Sequence, residues 1–206
     1  ETDLIDAPTH WGDMRQHVFY GAAYHARILL ANRAYRNFRP HRALNVAQEA
    51  RLHLTRLLAM PFQAVERGLA TWRVRTGGFP YHLALLQLEH DASFQQHSPF
   101  RTMTEFLDVT LRGFAAGAPR HHHLVFKAHP LEDGRTRLKA DITRLAKEAG
   151  VADRVHFIRG GKLAALLNHA RSAVTVNSTA AQQVLWRGMP LKVFGEGRDR
   201  TSLEAI

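Results

Sequence analysis

Residues 173–194 read AVTVNSTAAQQVLWRGMPLKVF. Ala173–Val176 is a short apolar run of strand character, Thr179–Trp186 reads as a helix, and Leu191–Phe194 returns to strand. A strand, a helix and a second strand in that order predict a parallel pair joined by a right-handed crossover. Strands that are apolar without interruption are the ones covered on both faces. Working outward, His82–Leu88 (HLALLQL), Leu124–Ala128 (LVFKA) and Arg154–Ile158 (RVHFI) read as further strands. Helices are predicted from about Thr102 to Ala116, over Thr136–Ala149 with Leu138, Ile142 and Leu145 on one face, and over Lys162–His169. The expectation is an α/β chain with a Rossmann-like, doubly wound parallel sheet of five strands.

The stretch before this pattern differs. Residues 11–75 contain Pro only at 40 and 61, and apolar residues recur at helical spacing through Leu57, Phe62, Val65, Leu69 and Trp72. Two or three helices are predicted, broken near Arg39-Pro40 and Met60-Pro61, because proline disfavours helix in the residue before it. Thr76-Gly77-Gly78-Phe79-Pro80 reads as a linker. The expected organisation is a helical, Arg-rich segment over 1–78 and the Rossmann-like lobe over 79–206.

With 206 residues, 28 Lys+Arg, 18 Asp+Glu and no Cys, the chain can bury a sizeable core but can hold neither a disulfide framework nor a Cys-based metal site. No apolar run approaches the roughly 18 residues that span a bilayer, and no charged-then-apolar signal opens the chain. A cytoplasmic protein is expected. Between Met14 and Arg67 lie nine Arg against Glu49 and Glu66. Arginine's planar fork suits phosphate and carboxylate, so this stretch reads as a solvated helical face, or as a contact with an anionic membrane surface or an acidic glycan. Nucleic acid is not expected as a partner, since no recognition motif accompanies the charge.

Open parallel sheets bind ligands outside the carboxyl ends of their strands. The first strand is followed by Gln87, Glu89, His90, Asp91 and Ser93, the second by His129, Pro130, Glu132 and Asp133, the third by Arg159-Gly160-Gly161-Lys162, and the fourth by Asn177, Ser178 and Thr179. Asn177-Ser178-Thr179 at a strand-to-helix junction suits an anion at a helix start, and equally a plain helix cap. His129 can donate to a phosphoryl oxygen or act as a general acid. Asp91 can act as base or glycosyl nucleophile, with Glu89 beside it able to raise its pKa. The flexible pair between Arg159 and Lys162 suits a sugar phosphate, or is a glycine turn with solvated cations. His90, Asp91 and His97 have no established metal-ligand spacing. His121-His122-His123 reads as a surface turn. With neither a Walker loop nor a G-x-G-x-x-G fingerprint, an NTPase or nicotinamide dehydrogenase is disfavoured.

Together QLEHDASFQQHSPF, LVFKAHPLEDGR, RGGKLAALL and VTVNSTAAQQVLWRGMPLKVFG resemble the bacterial capsule polysaccharide biosynthesis family (KpsS/LipB-like), over about residues 81–195. The resemblance implies one lobe of a GT-B glycosyltransferase that moves Kdo (3-deoxy-manno-octulosonic acid) from CMP-Kdo to a lipid or glycan acceptor, with retention of configuration. It implies no metal and no cofactor beyond the nucleotide-sugar donor, and other capsule assembly proteins as partners. Carried over, the phosphate and ribose contacts fall on His129-Pro130 and Ser178-Thr179, with Asn177 and Lys162 joining the donor site. Gln87 and Asp91 match a Gln-x-x-x-Asp element at the sugar end. Asp91 and His129 are the expected catalytic pair, with Glu132 and Asp133 as rival acids. Ala180-Ala181 departs from a pattern in which many relatives carry Gly. Family members are about twice this length, so an N-terminal acceptor lobe is expected to be missing, leaving a fragment that binds donor at best. A non-catalytic capsule export or assembly component and another nucleotide-sugar enzyme of GT-B fold stand as alternatives.

Overall fold

The apolar runs assemble as a sheet because each supplies side chains to both faces. The computed structural model describes residues 14–31, 46–132, 136–160 and 162–195. The chain divides into two compact units, Glu1–Met60 and Pro61–Ile206. Helices α1 (Met14–Ala31) and α2 (Val46–Thr76) come first. They are followed by β1 (Tyr81–Leu85), α3 (Ala92–His97), α4 (Met103–Gly117), β2 (His123–Lys127), α5 (Leu138–Glu148) and β3 (Val155–Ile158). The series closes with α6 (Leu163–Leu167), β4 (Ala170–Thr175), α7 (Ala181–Leu185) and β5 (Leu191–Val193). The strand order is β3-β2-β1-β4-β5, with every pairing parallel. This is the doubly wound sheet expected from the sequence.

Alternate side chains divide between two cores. On one face Ala84, Leu124 and Phe126 pack with Phe106, Leu107 and Leu111 of α4 and with Ile142 and Leu145 of α5. On the other, Leu83, Leu85, Val125 and Ile158 pack with Val74 of α2, Leu166 and Leu167 of α6 and Val184 of α7. Phe106 is fully buried, so truncating it to Ala would cost about 3–5 kcal/mol. Chain direction along the sheet reverses between β1 and β4, which are hydrogen-bonded neighbours with Leu85 opposite Thr175. In open α/β sheets that reversal opens a ligand crevice at the carboxyl edge.

Three local expectations change. The break near Met60-Pro61 is absent, because α2 carries Pro61 inside it. Proline in a helix interior removes one hydrogen bond and crowds the preceding turn, at a cost of about 3 kcal/mol. That loss is offset by good helix formers on both sides and by burial of Val74 near the helix end. The break near Arg39-Pro40 lies outside the described residues. Residues 92–97, expected as loop, form α3, whose buried Phe94 anchors it to the core. His121-His122-His123 is not a plain surface turn, since His123 opens β2 and is partly buried. Its ring stacks on Phe79 at 3.7 Å between centroids, and its Nδ1 lies 2.8 Å from Nε2 of His156. His122 Nδ1 lies 2.8 Å from Nε2 of His82, whose Nδ1 meets Ser172 Oγ at 2.7 Å. These rings cluster around the starts of β1 to β3, away from the crevice. Among the described residues no helix is long and apolar enough to cross a membrane.

Candidate functional site

The crevice is built on one reciprocal pair. Gln87, just past β1 and buried, donates from Nε2 to Asn177 Oδ1 at 2.6 Å. Its Oε1 accepts the backbone N–H of Asn177 at 3.0 Å. Asn177 Nδ2 donates to the carbonyl of Ser93 at 2.8 Å, which brings the start of α3 to the end of β4. Asp91 caps α3 by accepting the Ser93 N–H at 3.4 Å, and its carboxylate is otherwise exposed. The residues after β1 and β4 therefore form one connected floor. Gly195 packs against the end of β4 and of α3, where a Cβ would sit 2.5 Å from the carbonyl of His97 and 3.1 Å from that of Val176.

His129 enters from β2. Its Nδ1 accepts the Leu131 N–H at 3.1 Å, so the neutral ring carries its proton on Nε2, free to donate. Burial and the Lys127 charge hold its pKa below the usual histidine range, while Asp91 and Glu132 pull the other way. The Asp91 carboxylate and the His129 ring thus lie within electrostatic reach of each other. Glu132 accepts from Thr136 Oγ1 at 3.2 Å, and its N–H donates to the His129 carbonyl at 3.1 Å. Pro130 is exposed beside it, and Asp133 lies outside the described residues.

Other expected members are placed differently. Ser178 Oγ accepts the Ala180 N–H at 3.2 Å in a turn, and Thr179 is exposed. The helix that follows, α7, has only five residues and starts at Ala181. The helix-start anion site expected here is therefore not built, because so short a helix supplies little dipole. Glu89 does not act on Asp91 through a shared contact; its Oε2 accepts the Met103 N–H at 2.8 Å and caps α4. Lys162 is exposed ahead of α6, beyond β3. The ends of β3 and β4 are separated by three strand spacings, roughly 14 Å, so Lys162 and Ser178 occupy opposite flanks of the crevice. Two cavities lie elsewhere. One of about 400 Å³ is lined by Glu66, Arg73, Lys139 and His156, and one of about 480 Å³ by Arg75, Tyr81, His169 and Arg171. Neither touches Gln87, Asp91, His129 or Asn177, and the placement of these polar groups at the sheet's topological reversal outweighs cavity size as a guide to the site.

The model of the family described as "Capsule polysaccharide biosynthesis protein" matches residues 6–198. The chain belongs to the capsule polysaccharide biosynthesis protein family. The capsule polysaccharide export protein KpsS of Escherichia coli is 35% identical over 115 residues, covering 56% of this chain and 30% of that protein. The capsule polysaccharide modification protein LipB of Neisseria meningitidis serogroup B is 28% identical over 174 residues, covering 84% of this chain and 42% of that protein. The chain thus spans less than half the length of these capsule proteins. Among solved structures, Thermosulfurimonas dismutans KpsC, a beta Kdo 2,7 transferase, matches with a TM-score of 0.44 and 16% identity over 84% of this chain and 47% of that one.

Two residues that sequence reasoning missed belong to the same edge. Lys127, the last residue of β2, is buried, and Arg67 of α2 lies close enough to depress its pKa. A lysine ending an apolar strand two residues before His129 was the available signal for the first. Arg67 could not be found in the same way, because only packing brings it there.

Proposed function

We propose that this chain supplies the donor-binding lobe of a glycosyltransferase of capsule polysaccharide biosynthesis, which moves Kdo from CMP-Kdo to a lipid or glycan acceptor. The observation that carries the reading is the Gln87–Asn177 pair, with Asp91 and His129 held at the same edge. An exposed carboxylate lies within electrostatic reach of a ring whose Nε2–H can donate, a combination that suits attack on a sugar while its phosphate departs.

In this reading His129 Nε2–H donates to the phosphate of the leaving CMP, and Gln87 and Asn177 shape the sugar end. An Asp91 carboxylate oxygen attacks the anomeric carbon, and the bond to CMP breaks with its electron pair going to the phosphate. The acceptor hydroxyl then displaces Asp91 and gives its proton to a base, for which Glu132 is the described rival and Asp133 the other. Two inversions give net retention. No metal or further cofactor enters the scheme. We place the protein in the cytoplasm with the inner-membrane surface beside its Arg-rich helices, and other capsule assembly proteins as neighbours.

A second reading, a non-catalytic export or assembly component, is favoured by the name of the E. coli relative, an export protein. Thermal-shift titration with CMP, CDP, UDP and GDP separates them. A rise in Tm specific to CMP, followed by transfer from CMP-Kdo in full-length protein, supports the transferase. Preference for UDP points to another nucleotide sugar. A full-length protein that binds CMP-Kdo and transfers nothing favours assembly.

A further inference from the structure

Lys127 is 5% exposed at the carboxyl end of β2, and its Nζ donates to the carbonyl of Ala128 at 3.0 Å. Among the described residues no carboxylate pairs with it. A buried ammonium is costly unless an opposite charge faces it. Here the charge acting on it is another cation, Arg67 of α2, whose guanidinium also approaches Gly160 at the end of β3, 3.8 Å from where a Cβ would stand. Two residues on, His129 feels the Lys127 charge, with Asp91 and Glu132 acting on the same ring; on the neighbouring strand Ile158 pairs with Lys127 and is followed by Arg159, whose Nε is buried with no partner among the described residues. A buried ammonium at the carboxyl end of β2 and a guanidinium that reaches the end of the neighbouring β3, with the nearby acids acting on His129, suit an anion that arrives from outside the fold.

We infer that Lys127 and Arg67 form the buried anion subsite of the crevice, receiving a phosphate or sugar carboxylate of the donor. The inference deepens the reading of the crevice as a nucleotide-sugar site and rests on it. His129 follows Lys127 by two residues at the same strand end, and the Lys127 charge acts on its ring; in this reading the ring donates to the leaving group while Lys127 and Arg67 fix the anion's position. Both are positioning residues.

The site has a proton signature. Burial, with Arg67 adding to it, lowers the Lys127 pKa to about 8. An anion bound beside the amine restores its charge, so binding near pH 8.5 takes up roughly half to three-quarters of a proton. Calorimetry of the 206-residue chain in buffers of different ionisation enthalpy measures this directly, with CMP and free Kdo as probes. Uptake with CMP marks a phosphate subsite, and uptake with Kdo a carboxylate subsite. Lys127→Met, close in shape and apolar in a buried position, should fold at least as stably, bind the same probe about 10- to 100-fold more weakly, and take up no proton. Arg67→Gln should also weaken binding and reduce uptake in part, because burial still lowers the Lys127 pKa but the smaller contribution of Arg67 is gone. Lys192→Gln, at the exposed position of β5, should change neither. Equal affinity and equal uptake in wild type and Lys127→Met overturn the subsite and leave the donor reading standing. Uptake through Lys127 with UDP or inorganic phosphate, but not with CMP, keeps the subsite and removes the CMP-Kdo reading. A wild-type chain that binds none of these probes removes both.

Discussion

Gln87 and Asn177, ninety residues apart, satisfy each other twice, side chain to side chain at 2.6 Å and side chain to backbone at 3.0 Å. The pair spans the point where the sheet reverses direction, fastening the loop after β1 to the loop after β4. Gln87→Leu leaves the Asn177 N–H and Oδ1 without partners, which should cost about 1–3 kcal/mol. CMP binding should fall with it, because Asn177 also holds α3 through Ser93. Chemical denaturation and nucleotide titration on the same variant check both effects. A stable Gln87→Leu with undiminished CMP binding would show that the pair is incidental.

The sheet was legible because buried parallel strands write themselves as apolar runs, and all five appeared in the right order. Their ends were not. The first strand reads apolar to Leu88, yet the ladder stops at Leu85, since the Leu86 N–H is already turning into the loop while bonding the Lys127 carbonyl. Gln87, Asp91, His129 and Asn177 were readable from their place after strands. The Ser178 turn fell short because helix length, which decides dipole strength, is not visible in Asn-Ser-Thr. The paired histidines were missed for a different reason: adjacent residues point to opposite faces, and only tertiary packing shows that both faces hold another histidine.

Those histidines predict acid lability. Burial first, then neighbouring rings and the charges of Arg73, Arg154 and Arg171, lowers the pKa of His82, His122, His123 and His156, the last to about 4. Asp153 opposes this at His123. The folded state therefore resists protons that the unfolded chain accepts near its ordinary pKa of about 6.5. Their contribution should be complete above about pH 7 and lost as pH falls from about 6.5 towards 4. His156 alone should account for roughly 1–2 kcal/mol after discounting for its partial exposure. Urea midpoints at pH 7.5 and 4.5 test this, and His156→Phe should narrow the gap. The same gap in the variant and the wild type would remove His156 as the cause.

The His129 tautomer is a separate expectation. Because Nδ1 accepts the Leu131 N–H, long-range proton–nitrogen spectra at pH 7 should show a neutral ring protonated at Nε2. His129→Ala should weaken CMP binding about tenfold or more, the order of a charge-assisted hydrogen bond, with little change in Tm because the ring is only partly buried. An Nδ1-protonated ring would contradict the assigned donor.

Asp91 offers the sharpest separation of structure from chemistry. Its described contact is the cap on α3, an acceptor role at 3.4 Å. Asn caps helices about as well as Asp, so Asp91→Asn should fold with a stability change under about 0.5 kcal/mol. The amide cannot attack the anomeric carbon as a carboxylate does. In full-length protein the variant should therefore bind CMP as wild type does and lose transfer from CMP-Kdo by on the order of a thousandfold or more. Glu132→Gln, in parallel, separates nucleophile from base. A base that only deprotonates the acceptor supplies about 10²–10⁴-fold, and its loss should still let a covalent glycosyl intermediate form. Mass spectrometry of Glu132→Gln incubated with CMP-Kdo should find the sugar attached at Asp91. Turnover at the wild-type rate in Asp91→Asn would remove Asp91 from the chemistry and leave it as the cap that the geometry already shows.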